Sequence, residues 1–269
     1  MKPLNSHPDT TTVATPSTSP KSKLLSVKFA TVLLMAISPL AVQGAILVTG
    51  QDTFGESDYT NPFSYTVVGA DSMLVVGLYN DNNGTPTGAS FGGVAADGSL
   101  QFNRMLIAYW KNPTTGSGDF SFTGIDANRP ILAGAYELSG VDLDAVVTGT
   151  SNDKNTNTIT TPTANEFVIS YAASNSPSAI TAGASSIIDS NTFGFGGILN
   201  VPEDPSTTNY LAGGTGLAGA AGSQDVTWDN EDRGSLTYSF QAAVPEPSSA
   251  ALIGLAGLAG LALVLRRRR

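Results

Sequence analysis

The sequence predicts an all-β fold over residues 45–243, an antiparallel β-sandwich of jelly-roll-like build. Three observations carry this expectation. Short runs of β-branched, aliphatic and aromatic residues recur along the segment. Clusters of Gly, Asn, Asp, Pro and Ser separate them, which is turn chemistry. No helical period of useful length interrupts the pattern.

Taken in order, Met73-Leu74-Val75-Val76-Gly77-Leu78-Tyr79 is a continuous apolar strand, closed by the turn-rich Asn80 to Pro86. Arg104 to Trp110 is a second, stopped by Asn112-Pro113. Ser121-Phe122-Thr123 alternates, Ile131 to Leu138 is another apolar run, and Ala145 to Thr150 follows. Glu166 to Tyr171, Val226-Thr227-Trp228 and Ser235 to Phe240 complete the set. In the last of these Leu236, Tyr238 and Phe240 fall on one face, because strand side chains alternate. Pro202 to Ser223, with its Gly/Ala tract from Leu211 to Gly222, reads as a long flexible connection carrying one edge strand at most.

Both ends of the chain differ from this body. Residues 1–44 read as a secretory signal peptide with a long polar leader. Leu24 to Leu40 is its apolar helix, and Pro39 breaks it. Val42-Gln43-Gly44 then places small residues ahead of a cut between Gly44 and Ala45; a retained signal anchor is the alternative. At the other end, Val244-Pro245-Glu246-Pro247-Ser248-Ser249 leads into an apolar run from Ala250 to Leu265, followed by Arg266 to Arg269. Sixteen helical residues span about 24 Å, slightly short of a bilayer core of about 30 Å. Flanking serines and snorkelling arginines cover the difference. The expectation is one transmembrane helix over 248–265, with the arginines held in the cytoplasm by the positive-inside rule and the rest across the membrane.

This terminal arrangement, from Val244 to Arg269, closely resembles the PEP-CTERM sorting signal of exopolysaccharide-producing Gram-negative bacteria. The resemblance implies Sec-dependent export, an inner-membrane intermediate held by the C-terminal helix, and recognition by an exosortase. That enzyme would release or re-anchor the protein at Pro245, Glu246 and Pro247. A second, more diffuse resemblance covers much of residues 63–171. Leu74-Val75-Val76-Gly77, Ser90-Phe91-Gly92-Gly93-Val94, Ala108-Tyr109-Trp110-Lys111-Asn112-Pro113 and Tyr136 to Asp142 look like a group of bacterial surface β-sandwiches. It implies the fold and brings no catalytic residues.

Composition narrows the chemistry. Residues 45–243 hold 20 acidic residues against five basic ones, Arg104, Lys111, Arg129, Lys154 and Arg233. So acidic a surface repels phosphate backbones, and nucleic acid is excluded as a partner. Cysteine is absent, and the sole histidine is His7, inside the leader. The body therefore has no thiol nucleophile, no Ser-His-Asp triad and no histidine-bound metal. Carboxylates remain. Asp142 and Asp144 stand two apart, and Asp229, Glu231 and Asp232 cluster beside Trp228. A glycosidase needs two carboxyls flanking a cleft lined by aromatic platforms, and 8% aromatic content with two tryptophans is thin for that.

Calcium is the one cofactor the turns could take, through Asp81, Asp142 or Asp144, though neither segment has EF-hand spacing. Asx turn-capping is the plainer role for these acids. Trp110 is expected in the core. Trp228, beside Asp229 and Asn230, is the better candidate for an exposed sugar platform. The chain is thus expected to be an exported, non-catalytic envelope or exopolysaccharide-matrix protein of structural or adhesive role. The alternative is a carbohydrate-binding, lectin-like module assisted by calcium, with extracellular polysaccharide as its partner.

Overall fold

The computed structural model describes residues 44–56, 62–81, 84–152, 156–175, 180–184, 186–189, 199–200 and 208–244. The leader, the Pro-Glu-Pro motif and the expected helix at 248–265 lie outside them. Among the described residues every regular element is a β-strand, and no helix is long and apolar enough to cross a membrane.

The first half comprises β1 (Leu47–Glu56), β2 (Phe63–Val67), β3 (Met73–Asn80), β4 (Gly88–Phe91), β5 (Val94–Ala95), β6 (Gly98–Phe102), β7 (Met105–Lys111), β8 (Gly116–Thr123) and β9 (Ile131–Ser139). They form a five-stranded sheet, β1-β9-β3-β7-β6, and a four-stranded sheet, β2-β8-β4-β5. Pairing is nested and antiparallel: β1 with β9, β2 with β8, β3 with β7, β4 with β5. This is the order produced when one long hairpin is rolled across two layers.

The second half repeats it. Its strands are β10 (Thr148–Asn152), β11 (Thr156–Thr161), β12 (Phe167–Ser174), β13 (Thr181–Ala182), β14 (Ile188–Asp189), β15 (Leu199–Asn200), β16 (Thr208–Leu217), β17 (Gly222–Asp229) and β18 (Gly234–Phe240). The sheets run β10-β18-β12-β16-β14, with β15 also on β16, and β11-β17-β13. Again β10 pairs with β18, β11 with β17 and β12 with β16.

The repetition extends to single residues. Asp71 and Asn165, each two residues ahead of the equivalent strands β3 and β12, take positive φ angles of 55° and 60°. Gly116 and Gly222 open β8 and β17 at φ 109° and 115°. Asn112 N donates to Ser72 O and Ala218 N to Glu166 O, both at 2.9 Å and at matching places. The two halves share Gly-Ser-x-Asp followed by inward apolar residues, at 116–122 and 222–228. The expectation of a single two-sheet sandwich therefore gives way to two two-sheet units in tandem.

Packing orders the four sheets into one stack. Leu74, Val76 and Leu78 of β3 face Phe63, Tyr65, Phe120 and Phe122 of the first outer sheet. Met73, Val75 and Tyr79, on the other face of β3, meet Ile169, Tyr171, Leu236, Tyr238 and Phe240. Val168 and Ala172 then meet Ile159, Val226 and Trp228 of the second outer sheet. The inner sheets are thus covered on both faces, which is why β3, β12 and β18 are buried at every residue. A strand buried twice has no reason to alternate polar and apolar, and β3 reads as a continuous apolar run; β18 alternates although equally buried, with Ser235, Thr237 and Ser239 turned away from the inner core.

The Gly/Ala tract read as a flexible connection is instead β16, paired on one side with β12 and on the other with β14. Its small residues are a packing requirement. A Cβ on Gly214 would stand 3.2 Å from the Trp228 ring and 3.1 Å from Ile188, and one on Gly216 would overlap the Ile187 carbonyl. β-Propensity is suppressed here by the space available, so local signals point to a linker.

Gly77 of β3 plays the same part between the inner sheets, where a Cβ would enter the ring of Tyr171. The Tyr171 hydroxyl crosses the interface to donate to Gly134 O at 2.9 Å. We expect Gly77→Ala to destabilise the body by about 1–3 kcal/mol. Gly219→Ala, where added atoms meet open space, should be near neutral in the same chemical denaturation series. Burial raises the pKa of Tyr79, Tyr136, Tyr171 and Tyr238 above the ordinary phenol value near 10. The unfolded chain then releases these protons first. Stability is fully present below about pH 10 and falls as pH rises past it. In an alkaline titration, phenolate absorbance from these residues should appear together with loss of the β-sheet signal, not before it.

Candidate functional site

Both tryptophans are structural. Trp110, at the end of β7, is 2% exposed, and its indole N–H donates to Val94 O at 3.0 Å. Its ring meets Phe91 and Phe120 with centroids 6.2 and 5.7 Å away. Trp228, the better of the two candidates for an exposed sugar platform, is fully buried and so plugs the core as well. Asp229 and Asn230 misled, because neighbours on a strand point to opposite faces. The acid faces out and the indole faces in, where its N–H donates to Ser170 Oγ at 3.0 Å. Thr237 Oγ1 donates to the same oxygen at 2.9 Å, so the interface between β12, β17 and β18 holds a small buried hydroxyl network.

The candidate acids are dispersed among structural tasks. Asp81 accepts from Arg104 Nη1 at 3.0 Å and from the Tyr79 hydroxyl at 3.3 Å. Its second oxygen accepts from Asn209 Nδ2 at 3.3 Å, tying the first unit to the second. Asp142 Oδ1 accepts from Asp144 N at 3.0 Å, an Asx turn, and Asp144 is exposed. Glu231 is buried and accepts from Gly234 N at 2.8 Å. Asp232 accepts from Asn175 N at 2.9 Å and lies 3.7 Å from Arg233 Nε. Asp229 is exposed, opposite Thr181. Among the described residues no three acidic side chains gather closely enough to hold a metal ion.

Two features carry chemistry that residue-by-residue reading did not isolate. The first is a pair of outer sheet faces. On β2 and β8, Ser64, Thr66, Ser117, Asp119, Ser121 and Thr123 are exposed, while Phe63, Tyr65, Phe120 and Phe122 turn inward. Ser64 Oγ donates to Asp119 Oδ1, and the Thr66 and Ser117 hydroxyls bond at 2.8 Å. On β11 and β17, Thr156, Thr158, Thr160, Ser223 and Asp225 are exposed in the same way. Thr158 Oγ1 donates to Asp225 at 2.9 Å, the counterpart of Ser64 and Asp119. Each unit thus ends in a hydroxyl-rich face with a carboxylate at the same register. The duplicated Gly-Ser-x-Asp is the sequence signal that could have revealed it.

The second feature lies where the chain enters and leaves the body. Val141 bridges Ala242, and both side chains sit in the core between the inner sheets. Asp142 N donates to Gln241 O at 2.8 Å, Ala243 N to Gly140 O at 2.8 Å, and Gly44 N to Ala243 O at 2.9 Å. Gly140 manages this at φ 75°, with the Ala45 carbonyl against its α-carbon. The expected processing residues Gly44 and Ala45 are therefore neighbours of Ala243. Val244 is already exposed, and Pro245, Glu246 and Pro247 lie outside the described residues.

Residues 243–269 match the PEP-CTERM protein-sorting motif. No curated protein and no solved structure matches the chain. The motif marks an exported, membrane-transiting protein that is sorted by an exosortase to the cell surface.

A buried, hydrogen-bonded Trp228 yields a clear expectation. Trp228→Ala should cost about 3–5 kcal/mol of stability. Trp228→Phe should recover most of that, as read by thermal unfolding of the body.

Proposed function

We propose that the chain is a non-catalytic bridging protein of the cell envelope or exopolysaccharide matrix, built from two jelly-roll-like units and delivered by its sorting motif. The observation that carries this reading is the duplicated hydroxyl-and-carboxylate face. The two faces are the outermost layers of a four-sheet stack, so they look in opposite directions. At about 10 Å per layer they stand about 30 Å apart. One such face would make a binding module; two, back to back, make a cross-linker. Serine and threonine hydroxyls donate and accept, and a carboxylate accepts two donors, which suits the hydroxyl groups of a polysaccharide. The acidic body favours neutral or amino-bearing polymers over anionic ones.

The experiment separates binding from bridging. The body with both faces intact should agglutinate beads coated with extracellular polysaccharide. Removing one face, by Ser64→Ala with Asp119→Ala or by Thr158→Ala with Asp225→Ala, should leave single-site binding. Agglutination should fall by a factor of about 10²–10⁴, the range expected for lost bivalency. The alternative, a single carbohydrate-binding module assisted by calcium, is favoured instead if one pair of substitutions abolishes binding and the other changes nothing, or if chelation abolishes it. Sorting is read separately. Mass spectrometry of protein at the cell surface should find the arginine tail removed, and an intact Arg269 there would overturn the processing step.

A further inference from the structure

The motif and the fold overlap. Ala243 and Val244 belong to the matched motif, yet Ala243 donates its N–H to Gly140 O, and Gln241 O two residues earlier accepts from Asp142 N. Only Val244 separates it from Pro245. A peptide-cleaving enzyme takes its substrate as an extended segment on both sides of the scissile bond, and backbone pairing supplies much of that grip. On the upstream side, the residues it would grip are Gln241, Ala242 and Ala243. Gln241 and Ala243 are already paired through their backbones with Asp142 and Gly140, and Ala242 is buried beside Val141.

Reach adds to this. From Ala243 to the start of the apolar run at Ala250 is seven residues, at most about 25 Å of extended chain. A folded body several sheets thick is thus held close to the membrane surface at which the tail is processed.

We propose that the backbone clip joining Gly140 and Asp142 to Gln241 and Ala243 gates processing of the tail: the sorting enzyme engages its site only when residues 241–244 peel from the body. The proposal rests on the exosortase reading. The clip is suited to opening. It consists of two backbone bonds outside strand β18, so residues 241–244 can leave, drawing only the small Ala242 side chain from the core, while the Phe240 ladder stays intact. Gly140 is its weak point, since any other residue there meets both a left-handed backbone and the Ala45 carbonyl.

The test follows loss of the arginine tail by pulse-labelling of the full-length chain in an exosortase-competent host. A six-residue Gly/Ser insertion between Val244 and Pro245 supplies slack without touching the fold. It should speed tail removal about ten-fold, the order expected when a few net backbone bonds no longer need to break. Gly140→Val, which loosens the clip from inside, should accelerate processing in the same direction and add little to the insertion. Should Gly140→Val fail to fold, the insertion alone decides. An insertion that leaves the rate unchanged, or slows it, overturns the gate. The sorting reading fails in a different way: no chain, with or without the insertion, loses its tail, or Pro245→Ala with Glu246→Ala loses it as fast as the parent.

Discussion

The structure depends on the contact between its two inner sheets. There Val75, Tyr79, Ile107 and Tyr136 of one meet Ile169, Tyr171, Tyr238 and Phe240 of the other, with nothing but side chains between. Because each inner sheet also carries an outer sheet on its far side, its central strands, β3, β12 and β18, have no solvent face at all. Two consequences follow. Every inner-strand backbone group must be satisfied by the ladder, which forbids proline along these strands. Side-chain volume must also balance across the layer, so large rings are answered by glycine and alanine, as Tyr171 is by Gly77. Without cysteine, no disulfide relieves the core of this work.

Half of this architecture was legible in the sequence. Met73 to Tyr79, Ile131 to Leu138, Glu166 to Tyr171 and Ser235 to Phe240 read as strands, and they are β3, β9, β12 and β18. The uninterrupted hydrophobicity of β3 and β9 announced strands, but the same property erased the period that would have said which face meets what, whereas β18 kept its period and its inward face was read correctly. β16 was hidden for the opposite reason. Its Gly-Gly-Thr-Gly stretch has the composition of a linker, and only the crowding of Trp228, Ile187 and Ile188 explains why nothing larger fits. Trp228 itself shows the limit of reading neighbours along a chain. Polar residues beside it described the other side of its strand.

The duplication was legible too, in retrospect. Gly116-Ser117-Gly118-Asp119 and Gly222-Ser223-Gln224-Asp225 share their glycine, hydroxyl and carboxylate at matching register, and positive φ falls at matching places. The rest of the two units has diverged, because each inner sheet must fit the other rather than itself: the large Tyr171 of one unit stands where the other has Gly77. Complementarity across the central layer requires the halves to differ, while the outer faces are free to remain alike. That contrast is why the outward Ser, Thr and Asp residues carry the functional reading and the inward aromatics do not.

The closeness of residues 44–45 and 243 at Gly140 also has a mechanical side. Were the body held by its C-terminal segment, a pull on it would enter through Ala243. Force entering there is met first by a few backbone bonds at the rim of the stack, before it reaches the Phe240 ladder in the interior. Such a junction yields locally and can re-form, so brief shear on the cell would lengthen the tether by a few residues and leave the stacked sheets intact.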